Sequence, residues 1–330
     1  MSDPRAPRRI LITGATGFIG AAVVTPLRKR FAESSLGALV RSDRSAAAAN
    51  AAGLTPIRAD LADPPERLAA AIHSYAPDTL LHLAAEIASS RDTTAIQRTN
   101  VEGTRRLGDA VRTLTGFGCF LYVSTVVTGD AGGRVLVEDG PFPLETDYGR
   151  AKHEGERILR AMGVPLVTVR PSHVYGPGGW FAGIVTDMRR GLFRVPGRGD
   201  NWWDVVHVDD VAAAIVLATT APAGSAFHVA DDEPVRMNDF FQEVARLCGK
   251  QSVGHAPLFL ARLLRGKGAV AAAVRSARSS NARLKAELGW TPLYPNYRLG
   301  LAATMDALAR AARPRPTVEL EGSSARPERD

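Results

Sequence analysis

Tyr148 and Lys152 stand four residues apart in the stretch ETDYGRAKHEGE, a polar segment with helical spacing, so a phenol and an ammonium share one helix face. A phenol with a pKa near ~10 is a poor base at neutral pH, but a neighbouring positive charge favours the phenolate and brings it toward the working range. Upstream, the run YVSTVVTG closes an apolar β-type segment with Ser124 and Thr125. Taken alone, a Tyr and Lys pair reads as an ordinary surface helix. Joined to a hydroxyl at a strand end it becomes a proton-transfer site, in which Thr125 holds the substrate oxygen that Tyr148 protonates or deprotonates.

A second constellation lies near the start. ILITGATGFIG sets Gly14, Gly17 and Gly20 after a strand and at the mouth of a helix, with Thr16, Phe18 and Ile19 between and beside them. A dinucleotide pyrophosphate needs bare backbone close to it and free N–H groups at a helix N-terminus, which glycines in this position supply. Further on, RADL ends the third strand with Asp60, placed to accept from an adenine amine, and Leu61 follows it. HLAAE ends the fourth with Leu83, Ala84 and Ala85, where a dinucleotide would cross the sheet; plain packing is the other reading of the two alanines. Glu86 comes next as a candidate substrate contact. The second strand ends in LVRSDRS, where an acid would hold a ribose 2′-hydroxyl and an arginine would accept a 2′-phosphate. Arg41, with Ser42 and Arg44 behind it and Asp43 nearby, favours NADP over NAD.

These side chains need a scaffold. From residue 8 to about 170 the runs RRILIT, LGALVRS, LTPIRA, DTLLHLAA, CFLYVST and PLVTVRP read as strands with helices between them, the alternation of a doubly wound parallel sheet. After RPSHVYGPGG the period becomes irregular, with helices expected near 181–191, 209–220, 238–249 and 296–311 and a strand at AFHVA. The expected fold is therefore α/β: a Rossmann-type NAD(P)-binding domain over 8–175, to which about 205–230 returns, and a smaller C-terminal α/β substrate-binding subdomain over 176–312. The Pro- and charge-rich ends, 1–7 and 313–330, are expected to be disordered tails.

Composition narrows the function classes. The two cysteines, Cys119 and Cys248, sit in apolar or helical patterns and read as buried thiols. No run of 18 apolar residues and no apolar leader segment occurs, which points to a cytoplasmic protein with no integral membrane segment. The formal charge of +7 is uneven: 262–285 holds Arg262, Arg265, Lys267, Arg275, Arg278, Arg283 and Lys285 and no acid. Without interleaved aromatics or zinc spacing this stripe does not read as a nucleic-acid surface, and an anionic ligand or a solvated face is expected instead. His207, Asp209 and Asp210 open a helix, so they read as capping and interdomain hydrogen bonds rather than a metal site.

In order along the chain stand TGATGFIG, ADL, HLAA, TNVEGT, the hydroxyl pair, YGRAK, RPSHVYGPG, VHVDD and LGWTP. Over about residues 8–311 the chain thereby resembles the extended short-chain dehydrogenase/reductase family, which includes the NAD-dependent sugar epimerases and dehydratases. The resemblance implies Thr125 as the substrate-polarising hydroxyl, with Ser124 as fallback because STVVTG is one residue shorter than the usual form. It implies Tyr148 as acid/base, Lys152 also gripping the nicotinamide ribose, and an oxidised ring adding to the charge that favours the phenolate. Asn100 matches a helix asparagine that shapes the site; an amide bonding to helix backbone is the alternative. Pro171, His173 and Val174 are expected beside the nicotinamide carboxamide, and a homodimer through two helices fits the family habit.

Two departures bear on substrate. Sugar-nucleotide members carry an arginine shortly before VHVDD and often an asparagine two residues ahead of the YG of the RP motif, where this chain has Trp203 and His173. Trp202 and Trp203 offer apolar surface and no charge for a diphosphate, which favours a flatter, more apolar substrate. The run at 257–274 fits an apolar lid with basic edges, or else ordinary helix packing with snorkelling arginines. The expected activity is net hydride transfer at a C–OH or C=O centre. Sugar-nucleotide epimerisation is the rival, dehydration a weaker one because Val126 and Val127 stand where an acid is wanted. A non-catalytic NADP-binding sensor, which commonly loses the tyrosine or the lysine, is the alternative of another class.

Overall fold

The computed structural model describes residues 6–87 and 92–312. The expected tails therefore lie outside the described residues, apart from Ala6 and Pro7. Those two are ordered: Ala6 packs on the core and the Pro7 carbonyl accepts from Ser34 Oγ at 2.5 Å.

Seven strands form the central sheet: β1 (Arg9–Thr13), β2 (Ser35–Val40), β3 (Thr55–Arg58), β4 (Thr79–His82), β5 (Cys119–Val123), β6 (Leu166–Pro171) and β7 (Ala226–Val229). Their spatial order is β7-β6-β5-β4-β1-β2-β3, and every neighbouring pair is parallel. The order reverses direction beside β1, the switch point at which such sheets take ligands. Strands β4, β5 and β6 are buried along their whole length, as a sheet covered on both faces requires.

Helices α1 (Phe18–Arg30), α2 (Asp43–Ala51) and α3 (Pro65–Tyr75) follow the first three strands. Between β4 and β5 run α4 (Thr93–Ile96), a π-helical turn (Gln97–Gly103) and α5 (Thr104–Val111). Helix α6 (Asp147–Ala161) carries the phenol and the ammonium. The later helices are α7 (Gly179–Arg189), α8 (Val208–Ala218), α9 (Met237–Leu247), α10 (Leu258–Arg265), α11 (Lys267–Val274), α12 (Ala282–Leu288) and α13 (Tyr297–Ala312).

Two apolar layers sandwich the sheet. One joins α1 and α8 through Val23, Leu27, Val211 and Ile215, so α8 and β7 return to the main sheet. The other joins α3, α5 and α6 through Leu68, Ile72, Leu107 and Leu159. A third core is aromatic and lies apart from the sheet: Phe181, Trp203, Phe240, Phe241 and Tyr297 pack between α7, α9 and α13. Short parallel pairs tie this part down, Val205–His207 on His173–Tyr175 and Gly254–Ala256 on Arg194–Pro196.

The turn after β1 shows why a glycine is needed there. Gly14 has φ +71°, and a Cβ on it would come within 2.7 Å of the Ala84 backbone nitrogen. Both the left-handed conformation and the closeness of β4's exit exclude a side chain. Gly14→Ala is expected to lower unfolding free energy by about 1–3 kcal/mol, the cost of forcing a non-glycine residue into this conformation, and urea denaturation would measure it. A loss below the error of that measurement would mean that the loop relaxes freely.

Candidate active site

Because all seven strands run the same way, their C-terminal ends gather at one edge, and a cavity of about 1110 Å³ opens there. The glycine loop forms one end of it: Gly14, Thr16, Gly17, Phe18, Ile19 and Gly20 all line the wall. The first N–H groups of α1 have no intrahelical acceptor, so this end offers donors to an anion. Arg41 and Ser45 edge the cavity after β2, and Asp60 and Leu61 after β3. The Asp60 carboxylate accepts from the Ala62 N–H at 2.9 Å. Asp43, the acid that competes with Arg41 in the sequence reading, is paired with Arg58, while Ser42 caps α2.

Leu83, Ala84, Ala85 and Glu86 leave β4 along the same wall, followed around it by Ser124, Thr125, Tyr148, Pro171, His173 and Val174. Helix α6 starts at Thr146, whose Oγ1 accepts from the Gly149 N–H at 3.0 Å and caps it. Close packing then brings the helix onto the sheet, since a Cβ on Gly155 would stand 2.5 Å from the Tyr122 hydroxyl. Tyr148 reaches the cavity. Lys152, one turn on, does not: it is sealed at 1% exposure, with Nζ 4.0 Å from the centre of the Tyr122 ring.

This placement changes the expected electrostatics. Burial pushes the Tyr148 phenol up to about 12, with no offsetting contribution from Lys152. Burial also pulls the Lys152 ammonium down to about 7, against the charge of Glu156 one turn further on. The ammonium stabilises itself over a ring rather than lowering the phenol. Between about 7 and its ordinary 10.5, Lys152 holds a proton in the unfolded chain and releases it in the folded one. Its contribution to stability therefore rises as pH climbs through that window. Lys152→Met should flatten the rise in denaturation curves between those pH values, and an unchanged slope would contradict the shift.

Glu156 is itself held. Burial pushes its carboxyl up, but Arg170 foremost, with His153 and Ser124, outweighs this and keeps it below the usual range. The guanidinium makes two bonds to it, Nη2 to Oε2 at 2.6 Å and Nε to Oε1 at 3.0 Å, and a third to the Glu138 carbonyl at 2.9 Å.

The two hydroxyls differ. Thr125 Oγ1 accepts from the Val127 N–H at 2.9 Å and lies 3.5 Å from the Pro171 carbonyl. Ser124 is buried beside the Glu156 carboxyl and helps to hold its pKa down. Asn100 is fully buried in the π turn and does not reach the cavity; its amide donates to the Glu86 carbonyl and accepts from the Glu86 N–H, both at 2.8 Å. It therefore fixes the backbone leaving β4 rather than bonding within its own helix.

Sequence reasoning passed over a relay behind this loop. Neighbouring strand ends set Thr13 opposite His82, and Thr13 Oγ1 accepts from the Ala84 N–H at 3.1 Å and meets His82 Nδ1 at 2.7 Å. His82 Nε2 meets Thr104 Oγ1 at 3.0 Å, which donates to the Asn100 carbonyl at 2.8 Å. Burial holds the imidazole neutral, far below its usual pKa. The only sequence signal was a histidine inside an otherwise apolar strand.

At the far end the walls are mostly apolar and aromatic: Trp180, Ile184, Phe193, Trp203, Phe241 and Val270 line it, and Arg194 and Arg265 line the same cavity. His173 stacks on Trp203 with ring centres 4.4 Å apart, and its Nδ1–H donates to the Asp204 carbonyl at 3.0 Å. Burial, with Arg275 nearby, lowers the His173 ring to about 3. Trp202 is not on the cavity: it turns the other way, between the guanidinium groups of Arg236 at 3.8 Å and Arg278 at 5.0 Å. The aromatic pairs at 180–181 and 240–241 were the available signal for this wall.

The basic stretch also behaves differently from either expectation. Arg275 is buried against Asp204 at 2.5 Å, Arg265 meets Asp187 at 3.1 Å, Lys285 meets Asp232 at 2.6 Å, and Arg283 pairs with Asp139. Most of it fastens the later helices to the body of the protein. His207 and Asp210 likewise act as fasteners: His207 Nδ1 accepts from the Asp209 N–H at 3.2 Å, and Asp210 accepts from the Leu293 and Tyr294 N–H groups.

Comparison with known proteins agrees with this geometry. The pattern of the NAD dependent epimerase/dehydratase family matches residues 10–230. The 3-diazoavenalumate denitrifying reductase of a Streptomyces species is 29% identical over 307 residues, 89% of this chain and 99% of that protein. The 2-alkyl-3-oxoalkanoate reductase of Stenotrophomonas maltophilia is 30% identical, covering 76% of this chain and 79% of that protein. Among solved structures, the Thermus thermophilus UDP-glucose 4-epimerase in complex with NAD superposes with a TM-score of 0.75 at 26% identity, over 92% of this chain and 100% of that one. A match running from the first strand through the last strand of the sheet, with relatives that are named reductases and epimerases, leads to one conclusion: the chain belongs to the NAD dependent epimerase/dehydratase family and is an enzyme of oxidoreductase type.

Proposed function

We propose that the protein is an NAD(P)-dependent oxidoreductase that acts at a C–OH or C=O centre of an apolar or alicyclic substrate, with Tyr148 moving the proton. The observation that carries this reading is a shared cavity: Tyr148, Ser124 and Thr125 open onto the space that begins at the glycine loop and ends in an aromatic wall. The donor-rich loop, without a Cβ at Gly14, fits a dinucleotide pyrophosphate, and Tyr148 would stand at the nicotinamide end, with Lys152 sealed behind it. When bound, the nicotinamide supplies or accepts a hydride at its C4. With its pKa raised, the phenol keeps its proton at neutral pH, which is the form that gives a proton to a carbonyl oxygen as the carbon gains hydride. In the reverse direction the phenolic oxygen takes the proton back as the alcohol carbon gives up its hydride, so one group serves reduction and oxidation. Ser124 lines the cavity beside Thr125 and would donate to the substrate oxygen on turning away from the Glu156 carboxyl.

The substrate class rests on the far wall. Trp203 stacked on His173 supplies a flat apolar face, the arginines that line the cavity, Arg194 and Arg265, are engaged by the Gly191 and Phe193 carbonyls and by Asp187, and a relative that carries the name 2-alkyl-3-oxoalkanoate reductase fits that chemistry. The portion after residue 175, apart from the segments that rejoin the sheet, is the substrate-binding part of this reading. Epimerisation of a sugar nucleotide is the second reading, favoured by likeness to a UDP-glucose 4-epimerase. Anaerobic incubation with apolar ketones and with sugar nucleotides separates the two: lasting change in reduced-nicotinamide absorbance means net redox, and conversion without it means epimerisation.

For the cofactor, NADP is proposed over NAD. Arg41 edges the cavity, and Asp43, the acid that would favour NAD, is engaged by Arg58. Arg41→Asp should weaken NADP binding at least about tenfold, the loss of one charge-assisted phosphate contact, and leave NAD binding little changed. Tighter binding of NAD than NADP by the wild-type enzyme would overturn the choice.

A further inference from the structure

Helix α10 borders the mouth of the cavity with an unusual surface. Leu260 and Leu264 line the cavity, while Phe259 and Leu263, one turn apart on the outward side, are 74% and 75% exposed. Across the mouth, Leu192 is 66% exposed and lines the same cavity. Large apolar side chains at this exposure are normally scattered singly; here they cluster at one opening. Charge surrounds them. Arg189, Arg190 and Arg194 flank Leu192, and Arg262, Arg265 and Lys267 flank Leu263, against a single acid in these stretches, Asp187, which Arg265 already engages.

We propose that this rim docks the enzyme on an anionic lipid surface, with Phe259 and Leu263 entering the boundary between headgroups and acyl chains and the basic rim lying among the headgroups. Three features select that partner. The apolar residues project outward from a convex helix and do not line a groove, so they suit a soft surface better than a folded protein. Arginine and lysine stems can extend along the apolar layer while their charges stay among anionic headgroups. A second copy seated on the same patch would set this basic rim against itself. Docked in this way, the cavity mouth faces the bilayer, and a membrane-dissolved substrate could enter without crossing water. The docking itself does not depend on the substrate proposed above.

The test is co-flotation of the full-length protein with vesicles of phosphatidylcholine alone and of phosphatidylcholine with phosphatidylglycerol. The expected result is binding to the anionic vesicles only, weakened by added salt. Phe259→Ser/Leu263→Ser and Arg262→Glu/Lys267→Glu should each reduce it at least about tenfold, with melting temperature and turnover of a water-soluble substrate unchanged. Failure of the wild type to bind anionic vesicles at low salt would overturn the proposal. So would binding that both double variants retain. Self-association in solution that the Phe259→Ser/Leu263→Ser variant abolishes, without vesicle binding, would assign the patch to a second copy instead. Capture by an acidic acyl-carrier protein, again without vesicle binding, would assign it to a protein partner.

Discussion

Tyr148→Phe should lower kcat about a hundred- to ten-thousand-fold while leaving binding of the reduced cofactor within about twofold of wild type, the pattern expected when one proton-transfer group is removed from a site that still holds its ligands. The substitution deletes one hydroxyl from a side chain at the cavity wall and leaves the ring in place, and no hydrogen bond to that hydroxyl ties the fold together among the described residues. A structural explanation for lost activity is therefore weak, and a melting curve would remove it. Lys152→Met makes the complementary case. With Nζ sealed beneath the cavity wall and no contribution to the phenol's raised pKa, its loss should leave the pH profile of kcat where it is, whereas Tyr148→Phe flattens the profile. If Tyr148→Phe turns over a genuine substrate at the wild-type rate, the assigned chemistry is wrong.

The largest effect on stability is expected at Arg170→Met. Arg170 and Glu156 are 5% and 2% exposed, and the arginine makes both bonds to the carboxylate. Removing the guanidinium leaves a buried carboxylate without its partner, at a cost of about 3–5 kcal/mol. Replacing both, as in Glu156→Leu/Arg170→Met, removes the charge as well as its partner and should recover most of that loss, because a buried pair and an apolar pair of similar volume differ little. Denaturation of the two single variants and the double variant gives the coupling directly. A single variant that loses less than about 1 kcal/mol, the range of exposed pairs, would show that water reaches the site. The pair also bears on activity: Glu156 supports the charged form of Lys152, so its loss should lower the lysine's pKa further.

Local pattern carried much of the architecture. The six strands expected up to residue 171 coincide with β1 to β6 to within three residues at their ends, and the glycine loop sits where strand gives way to helix. Alternating apolar runs and helical periods are short-range signals, each written within about ten residues. Parallel pairing then brings all strand exits to one edge, so Gly14, Arg41, Asp60, Ala84, Thr125 and Tyr148 could be grouped from one dimension.

Depth and facing were settled elsewhere. Helical spacing put Tyr148 and Lys152 on one face, yet one turn separates a cavity wall from a sealed interior, because α6 tilts down onto Tyr122 through Gly155. Adjacent tryptophans were indistinguishable until the chain around them paired: Trp202 bridges to Arg236 and Trp203 to Ala277, and that pairing turns only Trp203 to the cavity. The basic stretch lost most of its apparent ligand-binding character once Asp139, Asp187, Asp204 and Asp232 met it in space. Fold class and the residue types of the site are thus local properties of the chain. Which side chains are buried, paired or facing substrate depends on contacts between residues tens to more than a hundred positions apart, because burial and charge act through distance in space rather than along the backbone.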